Sequence, residues 1–163
     1  MTGMIKLKLI NLSEAAILAV HAIIILASNP KEKISLKKME KTLSVSGHHL
    51  SKVMQKLVKA GIVNSTRGPA GGFKLKRKAT EITLLDILEI IEGQYNDSDC
   101  LFKEPVCING QCALGSIIHD LNSTIKTKFE NVLISSFAGS NFFNLEDPKT
   151  ENIDDIILEV IKN

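Results

Sequence analysis

The chain has 163 residues, which suffices for one well-packed domain, or for one small domain with an extension. Hydrophobic residues make up 44% of it and charged residues 23%, a balance that excludes an intrinsically disordered chain. With a single Tyr, six Phe and no Trp, a surface that binds single-stranded nucleic acid by aromatic stacking is also disfavoured.

The basic residues are concentrated in the middle of the chain. Residues 31–78 hold 13 Lys and Arg against only Glu32 and Glu40, a net charge of +11, whereas the rest of the chain carries −9. A merely solvated surface would mix the two signs. The segregation therefore indicates a polyanionic partner.

The first predicted element is an apolar helix that runs from an N-cap at Ser13 to about Ala27. Because Lys6 and Lys8 precede it, the run imitates a signal peptide. However, it is interrupted by His21 and is too short to span a bilayer. We therefore predict a buried helix, no membrane association and a cytoplasmic protein.

Two short helices and a β-hairpin follow. The stretch "SLKKMEKTL" (35–43) predicts a helix, and Ser46 is the expected N-cap of a second helix that ends at Gly61. The turn "RGPAGG" (67–72) separates two short strands, and "TLLDILEIIEG" (83–93) predicts a further helix that begins with a capping box. The second helix has a buried face with helical spacing, formed by Leu50, Val53, Met54 and Leu57.

This order predicts a mainly α fold, a winged helix-turn-helix with a two-stranded wing. The 46–60 helix fits the major groove of duplex DNA, and Arg67 at the hairpin tip can reach the adjacent minor groove. Winged helices also serve as protein-binding modules, but the basic block favours DNA. The lysines expected to neutralise phosphates are Lys52, Lys56, Lys59, Lys74 and Lys76.

All cysteines of the chain lie in one stretch, "CLFKEPVCINGQC" (100–112), as Cys100, Cys107 and Cys112. In a reducing cytoplasm such thiols favour metal binding over disulfides. The C-x6-C-x4-C spacing alone does not distinguish an iron–sulfur cluster from zinc, and free thiols in a surface loop are the alternative. Three thiolates also leave a fourth ligand to be found.

The segment 113–133 predicts a long helix with an apolar stripe that a small winged-helix core cannot cover. We therefore expect the stripe to pair with its copy in a two-fold homodimer. A last short helix is predicted over 153–161. The stripe consists of Leu114, Ile118, Leu121, Ile125, Phe129 and Val132.

The stretch "HHLSKVMQKLVKAGIVNSTRGPAGGFKLKRKATEITLLDILEIIEG", followed by three clustered cysteines, resembles the IscR/NsrR-type iron–sulfur transcription regulators of the Rrf2 family. The resemblance covers about residues 12–137. It implies a homodimeric winged-helix repressor or activator that binds a palindromic operator in double-stranded DNA. In many members the cysteine loop holds an iron–sulfur cluster, for which 2Fe–2S is favoured here and 4Fe–4S is the alternative.

The resemblance also implies an organisation. We expect a winged helix-turn-helix DNA-binding domain over 9–93 and a cluster-binding cysteine loop over 94–112. A dimerisation helix over 113–137 and a C-terminal segment with a short helix over 138–163 complete the chain.

Family roles carry over to individual DNA-binding residues. His48 and Ser51 fall where the recognition helix meets bases, and Arg67 falls where the wing enters the minor groove. Two residues depart from the family pattern, since His49 replaces a usual Tyr and Ser51 replaces a frequent acidic residue. These departures concern the operator sequence rather than DNA binding. The full predicted DNA-binding set is Ser46, His48, Ser51, Lys52, Lys56, Arg67 and Lys74.

The family also suggests where a fourth ligand could lie. Gly115 and Ile17 occupy the two positions at which relatives carry one, so neither can serve. His21, one turn after Ile17 on the same helical face, is our candidate, although a lone buried histidine is more often a core residue. Weaker candidates are Glu14, Asp97, Asp99 and His119.

No catalytic constellation is recognisable in the sequence, so we do not expect an enzyme. The resemblance implies a regulator that senses redox state, nitric oxide or iron–sulfur status. The alternative is a cluster-free winged-helix regulator that acts through a protein partner or through thiol redox chemistry.

Overall fold

The computed structural model describes residues 12–95, 114–139 and 143. Within them lie five α-helices, a two-stranded antiparallel sheet and two single-turn 3₁₀ helices, Ala79–Glu81 and Ile134–Phe137. The predicted winged helix-turn-helix is confirmed. Its elements are α1 (Glu14–Ser28), α2 (Leu36–Leu43), α3 (Gly47–Lys59), β1 (Val63–Thr66), β2 (Gly72–Leu75), α4 (Leu84–Glu92) and α5 (Gly115–Asn131).

Local capping chemistry fixes where the helices begin and end. Ser13 and Ser46 accept hydrogen bonds from backbone N–H groups of the first turns of α1 and α3, and Thr83 forms the predicted capping box with Asp86. Helix α3 ends in a Schellman motif at Gly61, which has a φ of 77° that favours glycine. These boundaries therefore follow from residues close in sequence.

Helix α1 forms the centre of the core. Eleven of its 15 residues are buried, and it packs against α3, α4 and the Ile134–Phe137 turn. The apolar face predicted for α3 is confirmed, because it is buried against α1. In the described part of the chain, no helix is long and apolar enough to cross a membrane.

The wing is anchored to the segment before α2. Strands β1 and β2 pair from Val63 with Leu75 to Thr66 with Gly72. Ile34 extends this sheet, because its N–H donates to the Phe73 carbonyl at 3.0 Å and its carbonyl accepts from the Phe73 N–H at 2.9 Å. A Cβ at Gly72 would lie 2.8 Å from the Ile34 carbonyl oxygen. Gly72 thus permits the close approach that fixes the base of the wing.

The chain after α5 returns to the winged domain, a contact that the sequence does not predict. The Leu84 N–H donates to the Val132 carbonyl at 2.8 Å, and the Ile134 N–H donates to the Ile82 carbonyl at 2.9 Å. Ile134 is fully buried and Phe137 is 3% exposed. Residues 134–137, which we assigned to the dimerisation helix, therefore pack in the core of the winged domain, and the helix itself ends at Asn131.

Two predicted features lie outside the described residues. They are the cysteine loop with Cys100, Cys107 and Cys112, and the helix over 153–161.

A carboxylate from α4 completes the N-terminal cap of α1. The Ser13 N–H donates to Glu92 Oε1 at 2.8 Å. In an ordinary capping box the third helical residue would accept this bond, but here that residue is Ala16, and Glu92 takes its place. Hydrogen bonds from the Ser13 side chain and backbone, and then the positive charge of Lys56, lower the pKa of Glu92 below its ordinary value of 4.5.

This lowered pKa makes stability depend on pH. A carboxyl whose pKa is lower in the folded state stabilises the fold above its unfolded-state pKa and loses that contribution as the pH falls through the folded-state pKa. We expect Glu92→Gln to be less stable than the wild type near neutral pH, and the two proteins to converge once the wild-type carboxyl is protonated. Thermal unfolding between about pH 7 and pH 3 measures this difference. A difference that stays constant over the whole range would contradict the role given to Glu92.

Candidate nucleic-acid interface

Helix α3 presents a polar face on the side opposite to its buried residues. His48, Lys52, Gln55 and Lys59 are exposed, and their spacing places them on one outer stripe. Ser51 lies at the margin of this stripe, is half-buried and accepts a hydrogen bond from Gln55 Nε2 at 3.4 Å. The stripe thus offers imidazole, ammonium, amide and hydroxyl groups in one row, which is the chemistry that reads base edges and binds phosphates.

The first turn of α3 contains two histidines in different surroundings. His48 is exposed, whereas the side chain of His49 is 34% exposed and its Nδ1 lies 4.0 Å from Glu14 Oε1 at the start of α1. Ser46 is exposed and accepts from the His49 N–H at 3.3 Å, which leaves its hydroxyl proton for a further acceptor. Of the two imidazoles, His48 is therefore the one available to DNA.

The wing places basic side chains beside this helix. Along β2 and just after it, exposed Lys74 and Lys76 alternate with half-buried Phe73 and Leu75. Arg67 is exposed where the hairpin turn begins. The turn is closed by a hydrogen bond from the Gly71 N–H to the Gly68 carbonyl at 2.9 Å, and a Cβ at Gly71 would collide with the Thr66 carbonyl. Glycine thus keeps the tip narrow.

Lys56 has a protein partner. Its Nζ donates to the Ile91 carbonyl at 3.2 Å, in the last turn of α4. An ammonium group is favoured there because the C-terminal end of a helix carries partial negative charge. A helical wheel contains the signal that could have predicted this, since Lys56 lies two turns after His49 on the same margin of the buried face. We had expected Lys56 to contact a phosphate, and the structure directs its side chain towards α4.

The described residues include only some of the predicted metal ligands. Cys100, Cys107 and Cys112 lie outside them, as do Asp97 and Asp99. Among the described residues there is no group of three or more His, Cys, Asp or Glu side chains that could hold a metal ion. Of the remaining candidates, Glu14 and His119 are exposed.

His21, the proposed fourth ligand, is 5% exposed in the middle of α1. Its Nδ1 lies 2.6 Å from the Ile17 carbonyl, and its ring meets that of Phe143 edge-on with centroids 5.7 Å apart. Because a carbonyl oxygen can only accept, the neutral ring carries its proton on Nδ1 and its lone pair on Nε2. A backbone hydrogen bond of this kind also orients metal-ligating histidines. The tautomer fits both a core residue and a ligand.

Comparison with known proteins adds the family context. The Rrf2 family model, described as an iron-dependent transcriptional regulator, matches residues 12–139. The transcriptional regulator IscR of Cereibacter sphaeroides is 32% identical over 90 residues, which cover 55% of this chain and 58% of that protein. The regulator NsrR of Shouchella clausii is 29% identical over 105 residues, which cover 63% of this chain and 70% of that protein.

A solved structure shares the fold. The structure of CymR, the global cysteine regulator of B. subtilis, superposes with a TM-score of 0.69 at 23% sequence identity. The match covers 79% of this chain and 98% of that one.

Two lysines of α3 form a matched pair for testing the interface. We expect Lys52→Met to reduce the slope of log affinity against log salt by about one, because one phosphate contact is lost. Lys56→Met should leave the slope nearly unchanged and lower the free energy of unfolding by about 1 kcal/mol, since the Ile91 carbonyl loses a charged donor. Titrations of duplex DNA between about 50 and 200 mM salt, with melting curves, measure both. An equal change of slope in the two variants would show that Lys56 leaves Ile91 to bind DNA.

Proposed function

The chain belongs to the Rrf2 family of transcriptional regulators, and we propose that it is a cytoplasmic homodimer that binds a palindromic operator and senses redox state, nitric oxide or iron–sulfur status through an iron–sulfur cluster. The family makes it a DNA-binding regulator rather than an enzyme. The observation that carries the sensing proposal is the position of all three cysteines in one loop, between α4 and α5, in a family described as iron-dependent.

In the proposed complex, α3 enters the major groove. His48 and Ser51 would contact base edges, while Arg67 would enter the neighbouring minor groove from the wing. Phosphate contacts would come from Ser46, Lys52 and Lys74, whereas Lys56 would stay bound to the Ile91 carbonyl. The exposure of the α3 stripe and of the basic wing supports this arrangement.

The surface of α5 supports the homodimer. In the described structure Phe129 is the buried residue of this helix, whereas Leu114 and Ile117 are 48% and 54% exposed. Ile117 lies beside the predicted stripe, and the other stripe residues, Ile118, Leu121, Ile125 and Val132, are half-buried. An apolar face of this kind is favourably covered by a second copy, and a two-fold axis would match a palindromic operator.

The cluster would be held by Cys100, Cys107, Cys112 and, in our proposal, His21. Three soft thiolates and one imidazole suit an iron–sulfur cluster, with 2Fe–2S favoured and 4Fe–4S the alternative. The bound cluster would supply a group whose oxidation, nitrosylation or loss changes the charge of the loop. The hydrogen bond from the His21 Nδ1–H to the Ile17 carbonyl would orient the ring for binding of the metal through the lone pair of Nε2.

A change in the loop has a short route to the DNA-binding surface. The loop begins directly after α4, and Lys56 of the recognition helix is bonded to Ile91 in the last turn of α4. A displacement of this turn would therefore act on α3. This link supports coupling between the state of the cysteines and the affinity for DNA.

A second candidate is a cluster-free regulator that acts through thiol oxidation or through a protein partner. The fold likeness to CymR, a cysteine regulator, favours it. In this alternative the three cysteines are redox-reactive thiols, and His21 is a core residue.

Anaerobic reconstitution with iron and sulfide tests the sensing proposal. We expect a visible chromophore, an absorbance band that Cys100→Ala, Cys107→Ala and Cys112→Ala each abolish, because a lost thiolate uncouples the cluster from the loop. His21→Ala should shift the spectrum or the redox midpoint, whereas the control His119→Ala should not. A colourless wild type whose DNA affinity responds to thiol oxidants would favour the cluster-free candidate. An unaltered His21 variant would assign His21 to the core.

Introduction of charge into the apolar stripe tests the dimer. Ile118→Glu together with Ile125→Glu should dissociate the protein and abolish operator binding, because two carboxylates would be buried against a second copy. Thr127→Glu, on the opposite side of α5, is the control and should remain dimeric. Sedimentation at micromolar concentration distinguishes the species. A wild type that sediments as a monomer would refute the proposed dimer.

A further inference from the structure

One residue of α2 organises the turn that leads into the recognition helix. The backbone carbonyl of Glu40 accepts from the Ser44 N–H and, at 3.3 Å, from the Val45 N–H. Its side chain then reaches past the turn, and Oε1 accepts from the Gly47 N–H at 3.1 Å. Glu40 therefore closes the end of α2 with its backbone and caps the beginning of α3 with its carboxylate.

Gly47 is glycine because of space rather than backbone conformation. It lies in the first turn of α3 and is not among the glycines with positive φ. A Cβ at this position would lie 2.8 Å from Glu40 Oε2, 3.0 Å from Glu40 Cδ and 3.1 Å from Glu40 Oε1. All three close atoms belong to the same carboxylate. A side chain at position 47 would therefore displace the Glu40 carboxylate, the movable end of its side chain, from its bond to the residue 47 N–H.

The charge of Glu40 is unexpected on this surface. Within the basic segment 31–78, Glu32 and Glu40 are the only acidic residues. A carboxylate near DNA repels phosphates, so electrostatics alone would disfavour it. At the N-terminus of α3, however, the same charge is stabilised by the helix dipole and by the free backbone N–H.

We propose that Glu40 and Gly47 are positioning residues that fix the placement of α3 on α2 and thereby determine how well the protein distinguishes its operator from other DNA. His48 follows Gly47 directly, so a shift of Gly47 moves the side chains proposed to read bases. Hydrogen bonds to base edges form at donor–acceptor distances of about 2.7–3.2 Å, so a shift of a few tenths of an ångström weakens them. The long-range attraction to phosphates is less sensitive to such a shift. This inference rests on the DNA-binding function, and it adds which contact allows the protein to distinguish its operator from other DNA.

The test uses a duplex selected by the wild-type protein from a random pool, and a scrambled duplex of the same composition. Affinities for both are measured at one salt concentration, together with the melting temperature of each protein. The variants are Glu40→Ala, Glu40→Gln, Gly47→Ala and the double variant Glu40→Ala/Gly47→Ala. Glu32→Ala is the matched control, because it removes an acidic residue from the same basic segment.

We expect Glu40→Ala to weaken binding to the selected duplex by about 10-fold, the order of one lost base-pair contact, without weakening binding to the scrambled duplex. Glu40→Gln keeps an oxygen acceptor for the Gly47 N–H and should retain most of the discrimination. Gly47→Ala should cause a similar loss in the wild-type background but no further loss in the Glu40→Ala background, where the crowding carboxylate is gone. Glu32→Ala should leave the ratio of the two affinities unchanged.

Several outcomes would overturn the proposal. If Gly47→Ala has the same effect in both backgrounds, the two residues do not act as a pair. If Glu40→Ala and Glu32→Ala change the affinity ratio equally, the carboxylate acts only through its charge. If the discrimination falls only in proportion to the melting temperature, the role is one of stability. A wild type that selects no duplex would instead refute the DNA-binding function itself.

Discussion

The described fold depends on the almost complete burial of one helix, α1. Because its middle and C-terminal turns are enclosed, each of its polar groups needs a partner supplied by the helix itself or by a neighbour. His21 has its partner within the helix and bonds to the Ile17 carbonyl one turn earlier. At the exposed N-terminal end of α1, the N–H of the capping residue Ser13 donates to Glu92 of α4. The position of α4, and with it the start of the cysteine loop, is thus tied to the beginning of the central helix.

The contacts between α1, α3 and α4 also explain how charges are distributed around the helix ends. The N-terminus of α1 attracts the carboxylates of Glu14 and Glu92, and the C-terminus of α4 attracts the ammonium group of Lys56. Each interaction is modest at a partly exposed site, but together they join α1, α3 and α4 at one place. A basic residue that the sequence suggested for DNA is therefore part of the scaffold, where Lys56 joins α3 to the last turn of α4.

The sequence predicted those features whose causes are local. The caps at Ser13, Ser46 and Thr83 and the stop at Gly61 depend on residues within one turn, so residue type and spacing were sufficient. The hairpin was predicted for the same reason, from a run of turn-forming residues. The exposed stripe of α3 also followed, since helical periodicity determines which side chains oppose the buried ones. The contacts of the cysteine loop lie outside the described residues and stay a prediction.

Most of the features that escaped prediction are contacts between distant parts of the chain. Nothing local marks Ile34 as a partner of Phe73, or Ile134 as a partner of Ile82. The pairing of Glu40 with Gly47 is intermediate, because a carboxylate seven residues before a helical glycine has no recognised pattern. Each of these contacts uses a backbone N–H or carbonyl that would otherwise be unpaired, and such groups carry no sequence signature of their own.

Helix α5 is held by contacts with distant parts of the chain, and these contacts determine how it can move. Its C-terminal end is fixed to the winged domain by the hydrogen bond from the Leu84 N–H to the Val132 carbonyl and by the buried Ile134. In the middle of α5, the Asn122 carbonyl accepts a hydrogen bond of 2.9 Å from the Tyr95 hydroxyl, so the chain just after α4 also holds the helix. Its N-terminal end follows the cysteine loop directly. A helix fixed to the winged domain at its end and middle cannot swing away from that domain, so a movement at its start would be passed to the domain as a whole. In the proposed dimer this movement would change the distance between the two recognition helices, which a palindromic operator requires to be about one turn of DNA.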